Sequence, residues 1–407
     1  MRESESAWRE LAPRTLARLL RSYGNDQFEL CEDAVQDALV DAHRQWQGQL
    51  PDDPQAWLAT VARRRYVDRV RADARRRERE TRSTRLEAPL VHDTPDSDSI
   101  HDDDALLVLQ LCCHPRLPRS AQVALTLRAV AGLTTRQIAN AYQLPEATIA
   151  QRITRAKRRL TELDRVFPKP HDAVERLASV LDVLYVMFTE AHHTTSGAPA
   201  QDTDLAAEAI HLARLLRQAV PDSTEVAGLL ALMLLTEARH PARIGPRGQL
   251  IPLDEQDRQR WHRPFIDEGL ALLDDVTPGA RPGPYLLQAC IAGLHAAAPD
   301  TEATDWSEIH ALYTVLEHQT GGRNPTITLN RIVAQSVVTG PADALSALAA
   351  LAQEHPHLPR LASVRAHLLE RSDRPDEAIS AYRQAIAATV NVAEQQYLRD
   401  RLRRLAR

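Results

Sequence analysis

Two short segments of the chain carry residue types that bind metals or transfer protons. One contains Glu190, His192 and His193, and the other contains Cys112, Cys113 and His114. Neighbouring residues on a helix point about 100° apart, so adjacent histidines rarely hold one ion together. Adjacent cysteines lack the two-residue gap of zinc-binding pairs. We therefore predict no metal site; the alternative would need remote ligands such as His211 and His240.

Catalytic chemistry needs more than isolated histidines. The sequence contains no nucleophile and base at a matching spacing, no glycine-rich phosphate loop and no paired carboxylate motif. Its four cysteines are too scattered for a disulfide framework. We predict that the chain is not an enzyme and has no cofactor. The alternative is an enzyme whose second half uses its histidines as acid and base.

The chemistry that the sequence favours is phosphate binding by arginine. Residues 56–85 hold eleven arginines and four acidic residues, a net charge of +7. An apolar stripe runs through this segment at helical spacing and consists of Trp57, Leu58, Val61, Val67 and Val70. Arginines on the remaining faces of such a helix would neutralise nucleic-acid phosphates. Trp57 or Tyr66 could stack on an exposed base, but both also fit a core, which the stripe favours for Trp57.

A pair of helices is predicted between residues 132 and 160. Thr134 followed by Gln137 forms a capping box, which starts the first helix and leaves Ile138 on its buried face. Pro145 begins the second helix, at a position where a missing N–H costs little.

The second of these helices has two different faces. Its apolar face comprises Ile149, Ile153 and Leu160, and its polar face comprises Thr148, Gln151, Arg152 and Arg155, followed by Lys157, Arg158 and Arg159. This pattern is typical of a helix-turn-helix whose second helix reads the major groove. The alternative is a surface helix pair with a solvated charged face.

Two acidic segments flank the arginine-rich one. The segment from Glu32 to His43 is amphipathic and acidic, which suits a protein partner, although an ordinary solvated helix has the same pattern. Residues 86–104 hold seven acidic residues, two prolines and no Lys or Arg. That composition predicts a flexible linker.

Composition indicates the fold class. The chain has 407 residues, 43% of them hydrophobic and only 4% aromatic, with a formal charge of -5. Abundant Ala, Leu and Arg with few aromatics predict an all-α protein of two or three domains. The N-terminus lacks an apolar signal core, and the longest apolar run, residues 226–235, is half the length of a membrane span. We expect a cytoplasmic protein with no membrane contact.

An internal repeat lies near the C-terminus. Residues 340–348 align with residues 374–382, which places Pro341 on Pro375 and Ala344 on Ala378. This offset of 34 residues is the tetratricopeptide period. We predict tetratricopeptide-like helices near residues 325–390.

The order of these motifs resembles the sigma factors of the extracytoplasmic-function type in the sigma-70 family. The resemblance rests on Glu32-Asp-Ala-Val-Gln-Asp37, on Pro54-Gln-Ala-Trp-Leu-Ala-Thr-Val-Ala-Arg-Arg64 and on the helix-turn-helix. Residues 111–115, 121–130, 252–261 and 283–289 resemble a subgroup with a long helical C-terminal extension. The implied domains are a region 2-like domain (1–85), the acidic linker (86–104), a region 4-like domain (105–165) and a C-terminal helical extension (172–407).

The resemblance implies a role for each matching surface. Core RNA polymerase would contact Asp33, Gln36, Asp37 and Leu39. The minus-ten promoter element would contact Trp57, Arg63, Arg64, Arg69 and Arg71. The minus-thirty-five element would contact Glu146, Thr148, Gln151, Arg152, Arg155, Lys157 and Arg158. Many relatives have Asn where this chain has Arg64, and Phe188 to His193 also departs from the subgroup's pattern.

The expected function is therefore promoter-specific initiation of transcription. The C-terminal extension would regulate it, with a regulatory protein or a ligand as its candidate partner. The alternative is a one-component regulator, in which the helix-turn-helix binds an operator and the helical extension senses a ligand. The arginine-rich and acidic helices favour the sigma factor, since a repressor needs neither.

Overall fold

The computed structural model describes residues 2–46, 50–80, 104–142, 144–162, 173–194, 205–276 and 281–406. Within these ranges the regular structure is helical, apart from one isolated bridge between Ile244 and Leu250. This confirms the all-α prediction. None of the helices formed by these residues is long and apolar enough to cross a membrane.

The helices of the first half are α1 (Arg2–Tyr23), α2 (Phe28–Trp46), α3 (Pro54–Glu80), α4 (Asp104–Cys112), α5 (Arg119–Ala129), α6 (Thr135–Ala141), α7 (Glu146–Thr161), α8 (Ala173–Thr194) and α9 (Leu205–Ala219). Those of the second half are α10 (Thr224–Glu237), α11 (His240–Arg243), α12 (Arg263–Val276), α13 (Pro284–Ala297), α14 (Trp306–Gln319), α15 (Pro325–Val338), α16 (Pro341–Glu354), α17 (Leu361–Arg371), α18 (Pro375–Ala388) and α19 (Val392–Leu405).

The chain divides into two compact units. The first comprises Met1–Ala191 and Ala200–Ala219, and the second comprises His192–Pro199 and Val220–Arg407. Helix α8 lies in the first unit as far as Ala191, and there Arg119 pairs with Asp182 and also donates to the Ser179 carbonyl at 3.0 Å. The sequence-based prediction had the C-terminal extension begin at residue 172, which would have placed α8 in the extension rather than with the helices of the first unit. The predicted linker, residues 86–104, lies outside the described residues except for Asp104, where α4 begins.

Helices α1, α2 and α3 pack against one another in the first unit. On α2 the buried positions recur every three or four residues, at Cys31, Val35, Ala38 and Ala42. Such spacing places these side chains on a single face, so α2 turns this face to the core.

The predicted pair of helices forms as α6 and α7. Gly132, at a φ of 71°, makes the turn after α5, in a region of backbone space that glycine enters without strain. Thr134 and Gln137 form the predicted capping box, and Pro145 immediately precedes α7. Ile149, Ile153 and Leu160 are buried, as predicted.

The second unit consists of helices in which each one packs on the next from α12 to α19. The predicted repeat has a structural counterpart, because Pro341 and Pro375 lie in the first turns of two 14-residue helices, α16 and α18. The equivalent residues Ala344 and Ala378 are both fully buried. The assignment of residues 325–390 to a tetratricopeptide-like array stays a prediction.

Candidate nucleic-acid interface

The outer side of α3 carries a basic surface. Arg63, Arg64 and Arg71 border one shallow depression of about 380 Å³, together with Thr60, Val67 and Asp68. Arg64 and Arg71 are exposed. Neither forms an ion pair within the described ranges. Three of the arginines predicted to contact the minus-ten element are therefore brought together at one place.

The inner side of α3 uses its arginines differently. Arg65 pairs with Asp41 of α2, and Arg69 lies 2.6 Å from Asp37 and 3.3 Å from Asp33. Burial works to lower the pKa of Arg69, but the hydrogen bond and charge of Asp37, with the charge of Asp33, outweigh it and raise that pKa. Arg69, predicted to contact DNA, thus binds two carboxylates that were predicted to contact polymerase.

The aromatic residues of α3 differ in exposure. Tyr66 is buried and stacks on Tyr23 with ring centroids 3.9 Å apart, so the idea that it stacks on a base is not supported. Trp57 is half-buried and makes an edge contact with Trp46 at 5.2 Å. The buried stripe of α3 runs through Leu58, Ala62 and Tyr66 rather than through the predicted valines.

The polar face of α7 is open along most of its length. The exposed predicted residues are Glu146, Thr148, Gln151, Arg155 and Arg158, and Arg152 is half-exposed. Glu146 and Thr148 lie in the first turn of α7, where a recognition helix meets base edges. The arrangement can present hydrogen-bonding and basic groups to a groove of duplex DNA.

Lys157 lies apart from that face. It is 7% exposed, and its ammonium group pairs with Glu32 and lies 2.9 Å from an Asp33 carboxylate oxygen. Arg128 of α5 lies 3.2 Å from the other Glu32 oxygen. Burial works to lower the pKa of Lys157, but the charges of Glu32 and Asp33 outweigh it and raise that pKa. We call these four residues, Glu32, Asp33, Arg128 and Lys157, the ion cluster.

The remaining residues predicted to contact polymerase lie along α2. Gln36, Asp37 and Leu39 are half-exposed, and Val40 beside them is 48% exposed. No functional role was predicted for Glu32, Arg128 or Val40 individually. Glu32 lies in the acidic segment already recognised, but only the packing of α2 on α7 shows that it is buried.

The metal-binding alternatives gain no support from this part of the molecule. Cys112 and Cys113 are buried, and burial raises both pKa values, that of Cys113 to about 12. A thiol held protonated in this way is a poor metal ligand. No group of three or more His, Cys, Asp or Glu residues within the described ranges is placed to hold an ion. The side chains of Glu190, His192 and His193 lie outside the described residues.

The second unit contains a cavity of about 600 Å³ between its helices. Among its lining residues are Trp306, Tyr313, Tyr382, Tyr397, His295 and His367. Burial and nearby arginines lower the pKa of both histidines, so both imidazoles are neutral at pH 7. Charged side chains, among them Asp254, Glu394 and Arg371, also line the cavity. The volume and the mixture of aromatic and polar groups are typical of a small-molecule site.

Comparison with known proteins places these surfaces in a family. Residues 12–76 match sigma-70 region 2 and residues 110–160 match sigma-70 region 4. Residues 176–277 match a family of unknown function (DUF6596). The first match contains α2 and the basic surface of α3, and the second contains the helix-turn-helix.

These matches define a sigma-70-family protein. The chain is 39% identical over 421 residues to an uncharacterized protein of Rhizobium meliloti (strain 1021), covering 99% of this chain and 97% of the relative, and it belongs to the same family. Sigma-70-family proteins are transcription initiation factors rather than enzymes, and their two regions imply binding to core RNA polymerase and promoter DNA.

Proposed function

We propose that this chain is a sigma factor of the extracytoplasmic-function type that directs core RNA polymerase to a specific set of promoters. The acidic side of α2 contacts polymerase, the basic surface of α3 contacts the minus-ten element, and α7 reads the minus-thirty-five element. One observation carries the proposal: a chain with both sigma-70 regions presents separate basic surfaces on α3 and α7. Two separate DNA contacts are what recognition of a two-part promoter needs.

Transcription with purified components tests the proposal. The full chain is mixed with core polymerase, bound DNA fragments are selected from genomic DNA, and run-off transcripts are measured from the selected fragments. Arg64→Ala combined with Arg71→Ala should reduce run-off several-fold, because two phosphate contacts are lost. Arg374→Ala is the matched control, since that arginine is exposed and, among the described residues, forms an ion pair with its neighbour Glu377 alone. DNA binding without polymerase binding would instead favour an operator-binding regulator.

We also propose that the second unit regulates initiation through its cavity. Val337 lines the cavity and is 39% exposed, while Val338 beside it is 42% exposed but does not line it. Val337→Trp should fill part of the cavity and change the run-off yield or its control in cells. Val338→Trp adds the same bulk outside the cavity and should leave both unchanged. Equal behaviour of the two variants would contradict a role for the cavity.

A further inference from the structure

The cavity of the second unit lies between helices and a loop. Helices α13, α14, α15, α17, α18 and α19 contribute side chains to its lining, and so do residues 250–254. The Leu250 N–H donates to the Ala393 carbonyl of α19 at 2.9 Å. Arg401, also on α19, lies 3.2 Å from Glu255. The loop is thus held against α19, and a molecule in the cavity would contact the loop as well as the helices.

The charged residues of the lining are mostly exposed. Glu394 is half-buried and accepts a hydrogen bond from the Thr389 hydroxyl at 2.6 Å. The exposed charged residues carry both signs and are Asp254, Glu302, Arg360 and Arg371. Exposed charges keep their water, so they do not supply a desolvated partner for an ion deep in the cavity. Burying a charged ligand group without such a partner is unfavourable.

Aromatic rings form part of the inner wall. The Trp306 Nε1–H donates to the Thr301 carbonyl at 3.3 Å. Tyr382 is 1% exposed, and its hydroxyl donates to the Glu370 carboxylate. Because their polar atoms already have partners, these two side chains offer mainly ring surface to the cavity. Such surface binds the ring of another aromatic molecule, stacked or edge to face.

Four uncharged polar side chains of the lining have no hydrogen-bond partner among the described residues. They are His295, Asn330, His367 and Tyr397. The histidines are neutral at pH 7 because burial lowers the pKa of each, and burial raises the pKa of Tyr397 and keeps it protonated. His295 is only 9% exposed, and a polar group so deeply buried normally has a partner. The cavity therefore offers hydrogen bonds that the chain itself does not fill.

Two arginines near His295 determine which ligand atom it meets. Burial, followed by the positive charges of Arg239 and Arg258, lowers the pKa of His295. Neither arginine is part of the cavity lining, and Arg258 donates to the backbone carbonyls of His295 and Ala298 at 2.5 and 2.6 Å. A positive potential beside a neutral imidazole favours the negative end of a ligand dipole. An oxygen acceptor therefore suits this position, with the imidazole N–H as its donor.

We propose that the cavity binds an uncharged aromatic molecule whose carbonyl oxygen accepts a hydrogen bond from His295 and whose ring packs on Trp306 and Tyr382. The volume of about 600 Å³ accommodates two linked rings. As the regulator of initiation, this ligand rests on the proposed function; its binding to the chain does not.

Three probes with the same rings and different charge test the ligand class. Biphenyl carboxamide is neutral, biphenyl carboxylate is an anion and biphenyl-methylammonium is a cation. Each is titrated into the free full-length chain at pH 7 by isothermal calorimetry. The carboxamide should bind at least about tenfold more tightly than either ion, because only the ions lose the hydration of a full charge. Equal or tighter binding of either ion, or no binding of the carboxamide, would overturn the proposal.

Two pairs of variants locate the probe. Val337→Trp adds bulk to the lining and should weaken binding of the carboxamide about tenfold, whereas Val338→Trp adds it outside and should not. His295→Phe should weaken binding of the carboxamide about fivefold through the lost hydrogen bond, but should leave binding of biphenyl itself unchanged. His240→Phe, outside the lining, is its control. Equal losses for carboxamide and biphenyl would refute the hydrogen bond from His295, and equal effects of the two tryptophans would refute the site.

These measurements need neither polymerase nor DNA. If the chain directed no transcription, binding of the carboxamide would still be measured, and the ligand class would stand or fall by it. If the chain directed run-off transcription but bound no carboxamide, the ligand class alone would be overturned. The comparison of the three probes on the wild-type chain remains decisive if a variant does not fold.

Discussion

Acid should destabilise the second unit through His295. This residue of α13 is only 9% exposed and contacts Trp306 edge-on at 5.2 Å. Burial, followed by the charges of Arg239 and Arg258, lowers its pKa from 6.5 to about 4. In the unfolded chain His295 takes up a proton near its ordinary pKa of 6.5, whereas in the native chain it does so only at about pH 4. The contribution of neutral His295 to the free energy of unfolding is therefore fully present above pH 6.5 and is lost as the pH falls to about 4.

The size of this effect follows from the change in pKa. Each pKa unit corresponds to about 1.4 kcal/mol, so His295 alone should contribute about 3 kcal/mol to the loss of stability between about pH 7 and about pH 4. His295→Phe keeps a ring against Trp306 but cannot take up a proton, so its stability should vary less with pH. His240→Phe is the control, because the His240 side chain is 48% exposed.

Hydrogen exchange measures the stability of this region within the intact chain. Peptides from α13 and α14 are followed by mass spectrometry in urea series at about pH 7 and about pH 4, with the intrinsic exchange rates corrected for pH. The difference between wild type and His295→Phe should itself change by about 3 kcal/mol between the two conditions. A change below about 1 kcal/mol, or an imidazole that titrates near its ordinary value by NMR, would refute the reasoning.

Three further predictions concern DNA binding and packing. Arg155→Ala should weaken binding of the holoenzyme to the upstream promoter element by about 1–3 kcal/mol, while Arg374→Ala should not, as measured by fluorescence anisotropy; equal affinities would exclude α7 as the reader. Arg64→Ala should reduce the slope of log affinity for the promoter against log salt concentration by about one, which corresponds to one fewer phosphate contact. An unchanged slope would mean that Arg64 contacts no phosphate. Gly228→Ala should lower the thermal stability by about 1–3 kcal/mol, because its Cβ would lie 2.6 Å from the Leu286 backbone; a neutral result would show that α10 and α13 separate easily.

Much of the fold could be predicted because its signals are local. The capping box at Thr134 and Gln137 and the turn at Pro145 depend on residues within one helical turn, and all are present in the structure. The repeat at an offset of 34 likewise marked two helices, since Pro341 and Pro375 start them both. Backbone preferences of this kind act before any tertiary contact forms.

The candidate site could be predicted only in part. Composition and spacing indicated which segments are basic, but not which arginine faces inward: Arg64 is exposed, whereas Arg69 reaches two carboxylates of α2. Helical periodicity also placed the stripe of α3 along its valines, while the structure buries Tyr66 instead. These outcomes depend on where α1 and α2 lie against α3, which a single segment does not encode.

The sequence by itself determined the helical elements, the basic and acidic segments and the motifs by which the family was recognised. Only the tertiary structure decided that Lys157, one of a run of basic residues at the end of α7, lies buried against Glu32 while Arg158 beside it is exposed. The physical reason is the different distance along the chain over which each interaction acts. Helix propensity and capping act over a few residues, whereas the partner of a buried charge is set by packing between segments 125 residues apart.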